Sequence, residues 1–140
     1  IPYDLLLLAD ETIEAINRCI FQSDIYVLRR SNEIIAVYVL IGIDNETVEI
    51  KYIAVRQDFQ GQGIGQELLK DAVVRAKEMG FKKILIETAD AGIKQLYIYQ
   101  KAGFVVYDKK TNFFLENFPE PIFEDGIQLI DMIMLKMEIG

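Results

Sequence analysis

Residues 60–66 are the part of this chain best suited to chemistry, because glycine occupies every second position from Gly61 to Gly65. The segment follows a strand-like run, residues 48–55, and opens a helix-like run, residues 66–79. Glycines at such a junction let the backbone approach a ligand closely and direct several N–H groups at it. A helix N-terminus also carries a partial positive charge, so the pattern predicts a site for a phosphate or pyrophosphate group.

Three other interpretations of this loop are weaker. A P-loop requires Gly-Lys followed by Ser or Thr, whereas Gly65 is followed by Gln66, which excludes it. A dinucleotide-binding fingerprint requires a glycine at position 66, and this segment follows an antiparallel meander rather than opening a βαβ unit. A strand–helix turn without a ligand does not require three alternating glycines.

Two motifs resemble those of the GCN5-related N-acetyltransferase (GNAT) family. The first is Gln-x-x-Gly-x-Gly at 60–65, which follows Ile-Ala-Val at 53–55 and is similar to the family's acyl-CoA-binding motif. The second, residues 99–104, reads Tyr-Gln-Lys-Ala-Gly-Phe and is similar to the family's Tyr-x-Lys-x-Gly-Phe element. The resemblance covers residues 25–108 well and is weaker outside them.

The resemblance implies a fold and a domain organisation. We expect an α/β fold with a mixed, mostly antiparallel central sheet, a splayed strand pair and flanking helices, which is the acyl-CoA N-acyltransferase fold. Residues 1–140 are expected to form a single domain with an irregular segment at 109–126. Hydrophobic periodicity and turn residues predict helix 4–20, strands 25–30, 34–43 and 46–55, helix 66–79, strand 83–88, helix 93–102, and strands 104–108 and 126–138.

The resemblance further implies acetyl-CoA as cosubstrate and no metal. We expect the backbone of the third strand to pair with the pantetheine arm, and the N–H groups of the glycine loop to bind the pyrophosphate. The implied cofactor-binding residues are Ile53, Ala54, Val55, Gln60, Gly61, Gln62, Gly63, Ile64, Gly65 and Gln66. Many members have an asparagine seven residues before the tyrosine, and at that position this chain has Gly92.

Tyr99 is the general acid that the resemblance implies, because a neutral phenol can protonate the thiolate that leaves when an amine attacks the thioester. Its alternative role is an aromatic side chain that packs against the sheet. Glu49 is the candidate base, on one strand face with Lys51 and Ile53, and its alternative role is an ion pair with Lys51 or contact with water. Glu87 or water is the other candidate base.

The composition limits the chemistry. The chain has 140 residues, no histidine, a single cysteine, and 22 acidic against 15 basic residues, for a formal net charge of −7. A Ser-His-Asp triad and a histidine-built zinc site are therefore excluded. The charge argues against nucleic acid as the main partner, and no run approaches membrane-helix length. A single thiol, Cys19, suits a cytoplasmic protein and is expected to be structural rather than a nucleophile.

The acceptor is the least defined part of the prediction. Residues 111–135 contain five acidic residues, four phenylalanines and no lysine or arginine, a pattern that favours a cationic amine, small or peptidic. A solvated loop or a dimer contact would give the same pattern. We expect an N-acetyltransferase that acts on a primary amine by direct attack. The alternatives are a non-catalytic acyl-CoA-binding or sensing module and, more weakly, a dinucleotide-binding protein. A homodimer through the C-terminal strands is a further expectation.

Overall fold

The structure is a computed structural model that describes residues 1–8, 13–18 and 20–140. These residues group into two compact units, 1–84 with 139–140, and 85–138. The single-domain organisation stays a prediction. Cys19 lies outside the described residues, so its expected structural role stays a prediction as well.

The first unit contains an antiparallel three-stranded meander with helices before and after it. Its elements are α1 (Tyr3–Leu6), α2 (Ile13–Asn17), β1 (Asp24–Arg30), β2 (Glu33–Gly42), β3 (Thr47–Val55) and α3 (Ile64–Glu78). Ser31 and Asn32 join β1 to β2 with φ values of 50° and 68°. Positive φ at both central residues is the mark of a type I′ hairpin turn, whose twist matches that of the strands. The predicted hairpin is therefore confirmed.

The core of this unit lies around β2. Residues 35–40 of β2 are all buried, which indicates that both faces of the strand are covered. One cluster of buried side chains joins the first helices to β2 and β3: Leu5, Leu6, Ile16, Ile20, Val37, Val39, Tyr52 and Ala54. Helix α3 buries a stripe at helical spacing: Ile64, Leu68, Leu69, Ala72 and Ala76.

The C-terminal end of α3 is as the sequence predicts. Gly80 has φ 89°, and its N–H donates to the Lys77 carbonyl at 3.0 Å. The Phe81 N–H reaches back to the Ala76 carbonyl, also at 3.0 Å. This pair of bonds is a Schellman motif, which satisfies the last carbonyls of the helix and requires a residue that tolerates the left-handed region.

The second unit contains three strands in the order β4-β8-β5 and a separate short hairpin. Its elements are β4 (Lys83–Ala89, which begins in the first unit), α4 (Ile93–Ala102), β5 (Val105–Lys110), α5 (Phe113–Asn117), β6 (Phe123–Glu124), β7 (Ile127–Gln128) and β8 (Met132–Glu138). Strands β5 and β8 pair antiparallel. The predicted fold class, mixed α/β with mostly antiparallel strands and flanking helices, is confirmed.

Three segments differ from the sequence prediction. Within the predicted helix 4–20, the described residues form two short helices, α1 and α2, and Leu7 and Leu8 lie outside both. Segment 109–126, predicted to be irregular, contains the short helix α5 and strand β6. The predicted closing strand 126–138 is interrupted, because Asp125 and Gly126 form the turn between β6 and β7 with φ values of 52° and 79°. An Asp-Gly pair with positive φ at both positions favours a hairpin over a continuing strand. None of the helices formed by the described residues is long and apolar enough to cross a membrane.

Candidate active site

Strand β3 carries a β-bulge shortly before the glycine loop. Tyr52 pairs with Val39 and Ile50 pairs with Leu40, so Lys51 is an extra residue with no partner on β2. A bulge bends its strand and increases the local twist, and bulges are enriched beside active sites. Residues 53–55, the expected pantetheine-binding positions, follow this bend and pair with β2 from Tyr38 back towards the hairpin.

The glycine loop takes a backbone shape that depends on two of its glycines. Gly61 and Gly63 have φ values of 79° and 82°, in the left-handed region that side chains strain. Gly65 lies inside α3 without a positive φ, and a Cβ built there would meet no atom within 4 Å. The backbone conformation therefore explains why positions 61 and 63 are glycine. Neither conformation nor packing within the protein explains the glycine at position 65.

The loop presents a run of N–H groups with no internal acceptor. Among the described residues, no backbone N–H from 61 to 66 donates to a backbone carbonyl, and the first such bond runs from Glu67 to Gly63 at 3.2 Å. Gly63 is the N-cap residue of α3 and has no side chain with which to cap it. The first turn of α3 thus keeps the unsatisfied donors that make a helix N-terminus an anion site. These residues fit a pyrophosphate group.

Helix α3 is held on the meander by a polar cluster. The Tyr38 hydroxyl donates a short hydrogen bond to the Asp71 carboxylate, which also accepts from Arg75 Nε at 3.0 Å. The Arg75 guanidinium lies 4.3 Å from the ring centroid of Tyr26, which itself stacks on Tyr38 at 5.0 Å. Burial first, and the Asp71 hydrogen bond second, raise the pKa of Tyr38 far above its ordinary value. Tyr38 is therefore a neutral donor that fixes the helix.

Tyr99 is buried within the second unit, with 7% of its surface exposed. Its ring lies 6.4 Å from that of Phe104, which is 1% exposed. The link between the two residues is Gly103, which ends α4 at φ 112°, and the Phe104 N–H then donates to the Tyr99 carbonyl at 3.0 Å. The motif Tyr-x-Lys-x-Gly-Phe is thus a helix ending that packs the phenylalanine beside the tyrosine. Tyr97 differs, with 64% of its surface exposed.

The Tyr99 hydroxyl is held in its protonated form. Burial, with a smaller contribution from the Glu124 charge, raises the pKa of Tyr99 to about 12. The hydroxyl has no hydrogen-bond partner among the described residues, and none of their buried side-chain polar atoms lacks a partner, so the oxygen reaches solvent. Tyr99 is therefore a neutral phenol at physiological pH, and no group among the described residues accepts a hydrogen bond from its hydroxyl.

The two candidate bases have different surroundings. Glu87 lies on β4 with its side chain 18% exposed, and its Oε1 is 2.8 Å from Lys110 Nζ. Glu49 lies on β3 opposite Ile41 at intermediate exposure, whereas Ile53 lies opposite Tyr38, three residues earlier on β2. The bulge at Lys51 thus puts Glu49 and Ile53 on opposite faces of the strand, and the predicted shared face is wrong. The carboxylate of Glu87 already pairs with a cation within its own unit.

The departure at Gly92 has a packing reason. A Cβ at this position would lie 2.8 Å from Thr88 Oγ1 and 3.1 Å from the Ala89 carbonyl oxygen. Real Cβ atoms essentially never lie within 3.0 Å of another group, and a 3.1 Å approach is uncommonly tight, so an asparagine would not fit here without a shift. Among the described residues, no group of three or more His, Cys, Asp or Glu side chains is arranged to hold a metal ion. The metal-free site stays a prediction.

Sequence reasoning missed Arg56, which joins β3 to the loop. Its guanidinium donates to the Ile34 carbonyl at 2.9 Å and forms ion pairs with Asp4 at 3.1 Å and Glu33 at 3.2 Å. In addition, Gln60 Nε2 donates to the Val55 carbonyl at 3.0 Å. The sequence signal for the role of Arg56 is its position directly between an apolar strand and the glycine loop.

Comparison with known proteins decides the family. A sequence model described as the acetyltransferase (GNAT) family matches residues 6–104, which is more than half of the chain. The chain belongs to the GNAT family. It is also 39% identical over 137 residues to a Bacillus subtilis protein described as the uncharacterized N-acetyltransferase YvbK, covering 98% of this chain and 88% of that one.

Solved structures of GNAT proteins have the same fold. A GNAT acetyltransferase from Elizabethkingia anophelis with acetyl-CoA bound is 51% identical, with a TM-score of 0.95 over 99% of this chain and 90% of that one. A Bacillus subtilis acetyltransferase in complex with CoA is 39% identical, with a TM-score of 0.94 over 99% and 91%. The predicted family, fold and enzyme class are therefore confirmed: this GNAT chain is an N-acetyltransferase.

Proposed function

We propose that this GNAT chain moves the acetyl group of acetyl-CoA to a primary amine by direct attack of the amine, with Tyr99 as the general acid. The observation that carries the proposal is the state of Tyr99. It is a buried and neutral phenol at the position of the family's tyrosine, and its hydroxyl has no hydrogen-bond partner among the residues that the structure describes. The family membership supports the reaction type, and the loop geometry supports the cosubstrate.

Acetyl-CoA supplies a thioester, whose carbonyl an amine attacks and whose sulfur leaves as a thiolate. On this chain, the free N–H groups of residues 61–66 would bind the pyrophosphate, and the backbone of residues 53–55 would pair with the pantetheine arm. The side chains of the loop contribute little, because the donors are backbone groups. Gln60 is the exception, since its amide holds the Val55 carbonyl.

The raised pKa of Tyr99 shapes its role. A phenol whose pKa is about 12 stays protonated at neutral pH, so the hydrogen is present when the C–S bond begins to break. Full transfer to a thiolate, whose conjugate thiol has a pKa near ~8.5, is uphill. Tyr99 therefore acts by donating a hydrogen bond to the sulfur as charge develops on it, and it keeps its own proton.

The attacking amine must first lose a proton, and Glu49 is the proposed acceptor. Glu87, whose carboxylate pairs with Lys110 at 2.8 Å, is the other candidate. Replacement of each by glutamine distinguishes them. Glu49→Gln should lower kcat/KM at neutral pH, and the reduction should be smaller at high pH, where the amine is already neutral. Glu87→Gln should change kcat/KM little. If neither variant changes the pH profile, water alone is the base.

A cationic acceptor is the substrate class that the second unit favours. Asp131 is used structurally, since it accepts the Asn112 N–H at 2.8 Å and pairs with Lys109 at 3.7 Å. The charge of Glu124, in contrast, acts on the proposed catalytic residue, because it contributes to the raised pKa of Tyr99. Three of the phenylalanines, at 113, 114 and 118, pack on one another, with ring centroids 5.2 to 6.5 Å apart. Phe123, next to Glu124, is exposed, so carboxylate charge and this aromatic ring would together attract the amine.

The test is release of the CoA thiol from acetyl-CoA across a panel of amines. The panel should contain polyamines, amino acids, aminoglycosides and peptides with free N-termini, each measured with the wild type and with Tyr99→Phe. Turnover with one class, strongly reduced in the variant while acetyl-CoA still binds, supports the proposal. Undiminished turnover in Tyr99→Phe would remove the tyrosine from the mechanism. A neutral or anionic amine as the best substrate would contradict the proposed acceptor class.

A further inference from the structure

Two arginines contact the segment 56–59 that leads into the glycine loop, and they differ in what their guanidinium groups bind. Arg56 begins the segment and Arg30 lies over Phe59 at its end. Both arginines are linked to the tip of the β1–β2 hairpin through Glu33. Arg56 forms an ion pair with Glu33, and Arg30 is the residue opposite Glu33 in the strand pairing. The hairpin tip therefore borders the entrance of the loop.

The guanidinium of Arg56 is already satisfied. It donates to the Ile34 carbonyl through Nε at 3.2 Å and Nη2 at 2.9 Å, and it pairs with two carboxylates, Asp4 and Glu33. Its positive charge is thus neutralised by neighbours, and its Nε and Nη2 donors are occupied. Arg56 can hold the loop in place, but it has little to offer an incoming anion.

The guanidinium of Arg30 is not satisfied in this way. Its Cζ lies 5.9 Å from the ring centroid of Phe59, and the residue is exposed. No carboxylate among residues 1–8, 13–18 and 20–140 forms an ion pair with it. A guanidinium over an aromatic ring uses its face, and its N–H donors, which lie in the plane, remain available. Arg30 therefore presents an exposed cation with free donors beside Phe59.

The position of this cation suggests its ligand. Phe59 is followed at once by Gln60, so Arg30 lies at the start of the loop proposed to hold the pyrophosphate. Besides the pyrophosphate, CoA carries a phosphomonoester on its ribose. The chain has a net charge of −7, so binding this polyanion needs local positive charge. Arginine suits a phosphate because its planar donors bind two oxygens at once.

We propose that Arg30 binds the ribose 3′-phosphate of the CoA cosubstrate and makes this site discriminate CoA from dephospho-CoA. The inference rests on the proposed function only in placing the pyrophosphate on the glycine loop. It assigns Arg30, a residue outside both family motifs, a role in cosubstrate specificity, while Arg56 positions the loop.

The experiment is calorimetric titration of CoA and of dephospho-CoA into the wild type and three variants. Arg30→Met removes the charge and keeps a long apolar side chain against Phe59. Arg30→Lys keeps the charge and loses the planar donors. Arg29→Met is the matched control, because Arg29 is the next residue along β1, points to the opposite face and is equally charged and exposed.

The wild type should bind CoA about tenfold more tightly than dephospho-CoA, as expected for one charge-assisted phosphate contact. Arg30→Met should bring this ratio close to one by weakening CoA alone, with the affinity for dephospho-CoA unchanged. Arg30→Lys should keep part of the preference, and Arg29→Met all of it. Raising the salt concentration should shrink the ratio in the wild type and not in Arg30→Met.

Several outcomes would overturn the inference. Equal weakening of both ligands by Arg30→Met would mean that Arg30 acts on the loop through Phe59. Equal loss of the ratio in Arg29→Met would indicate diffuse electrostatics, and a wild type without preference would mean that the phosphate is not recognised. Failure of the proposed acetyl transfer is a separate result, because it is measured as absent turnover with every amine, whereas the affinity ratio needs no turnover.

Discussion

The glycine loop and the tyrosine motif are two sites built on opposite principles. On the proposed function, the loop at 60–66 would act through the free backbone N–H groups of residues 61–66. The motif at 99–104 would act through one hydroxyl, the Tyr99 phenol, whose pKa is raised mainly by burial. Both segments contain glycines with positive φ, but these glycines serve different purposes. Gly61 and Gly63 expose donors, whereas Gly103 ends a helix so that Phe104 can pack beside the tyrosine. Binding and chemistry should therefore respond separately to substitution.

The largest expected effect is on the chemical step alone. Tyr99→Phe should lower kcat by about 10²-fold or more, since general acid catalysis contributes on that scale. The dissociation constant of acetyl-CoA should stay within about twofold, a change of less than 1 kcal/mol. Single-turnover kinetics and calorimetry measure the two quantities on one preparation. A parallel loss of binding would show that the two sites are not separable.

Gly65→Ala should give the converse result. A Cβ at position 65 meets no protein atom within 4 Å, and alanine favours a helix, so the free energy of unfolding should be unchanged or rise by up to about 1 kcal/mol. The dissociation constant of acetyl-CoA should rise at least about tenfold, because the added methyl group blocks close approach of the ligand to the backbone. Binding at wild-type affinity in this variant would contradict the assignment of the loop.

Gly103→Ala should affect stability and chemistry together. Left-handed backbone costs alanine about 1–2 kcal/mol. The added Cβ would also lie 3.1 Å from Met137 Cε, so the helix ending and the Tyr99 ring should shift. We expect kcat to fall severalfold with acetyl-CoA binding kept.

Gly80→Ala is the matched control for that change. Gly80 ends α3 at φ 89° and has open space around its Cβ position. This variant should lose a similar free energy of unfolding and keep kcat. If both variants lose kcat equally, the effect is general destabilisation rather than displacement of the tyrosine.

The smallest effect is on stability at high pH. The pKa of Tyr99 is about 12 in the folded chain against 10.0 ordinarily, so the folded state holds its proton longer than the unfolded state. Its contribution is fully present below pH 10 and is lost as pH rises towards 12, amounting to about 2–3 kcal/mol. Tyr38 acts in the same direction. Urea unfolding of wild type and Tyr99→Phe at pH 9 and pH 11 isolates Tyr99, and parallel curves would contradict the assignment.

Local signals explain what could be predicted from the sequence. Helix α4, 93–102, lies between Gly92 and Gly103, and its predicted bounds agree with the structure. The end of α3 at Gly80 and the β1–β2 hairpin also depend on residues close in sequence. The two motifs indicated the family, because each is a short segment whose backbone conformation depends on glycines that can be read from the sequence.

Longer-range features were not predictable in the same way. The bulge at Lys51 is a property of pairing with β2, and no residue type in β3 marks it. The contacts of Arg56 join positions 22 or more residues apart, and Arg30 and Phe59 meet only because the hairpin folds back on the loop. The committed state of Glu87 likewise depends on Lys110, which only the fold brings near.

The open first turn of α3 has a consequence for the protein as a whole. On the proposed assignment, the cosubstrate supplies the acceptors that this helix lacks, so the ligand completes a secondary-structure element. A ligand that binds only the folded state at 100 times its dissociation constant stabilises the fold by about 2.7 kcal/mol. Amide hydrogen exchange at residues 61–66 should then slow by about two orders of magnitude in its presence. The melting temperature of this enzyme would thus report the acetyl-CoA concentration around it.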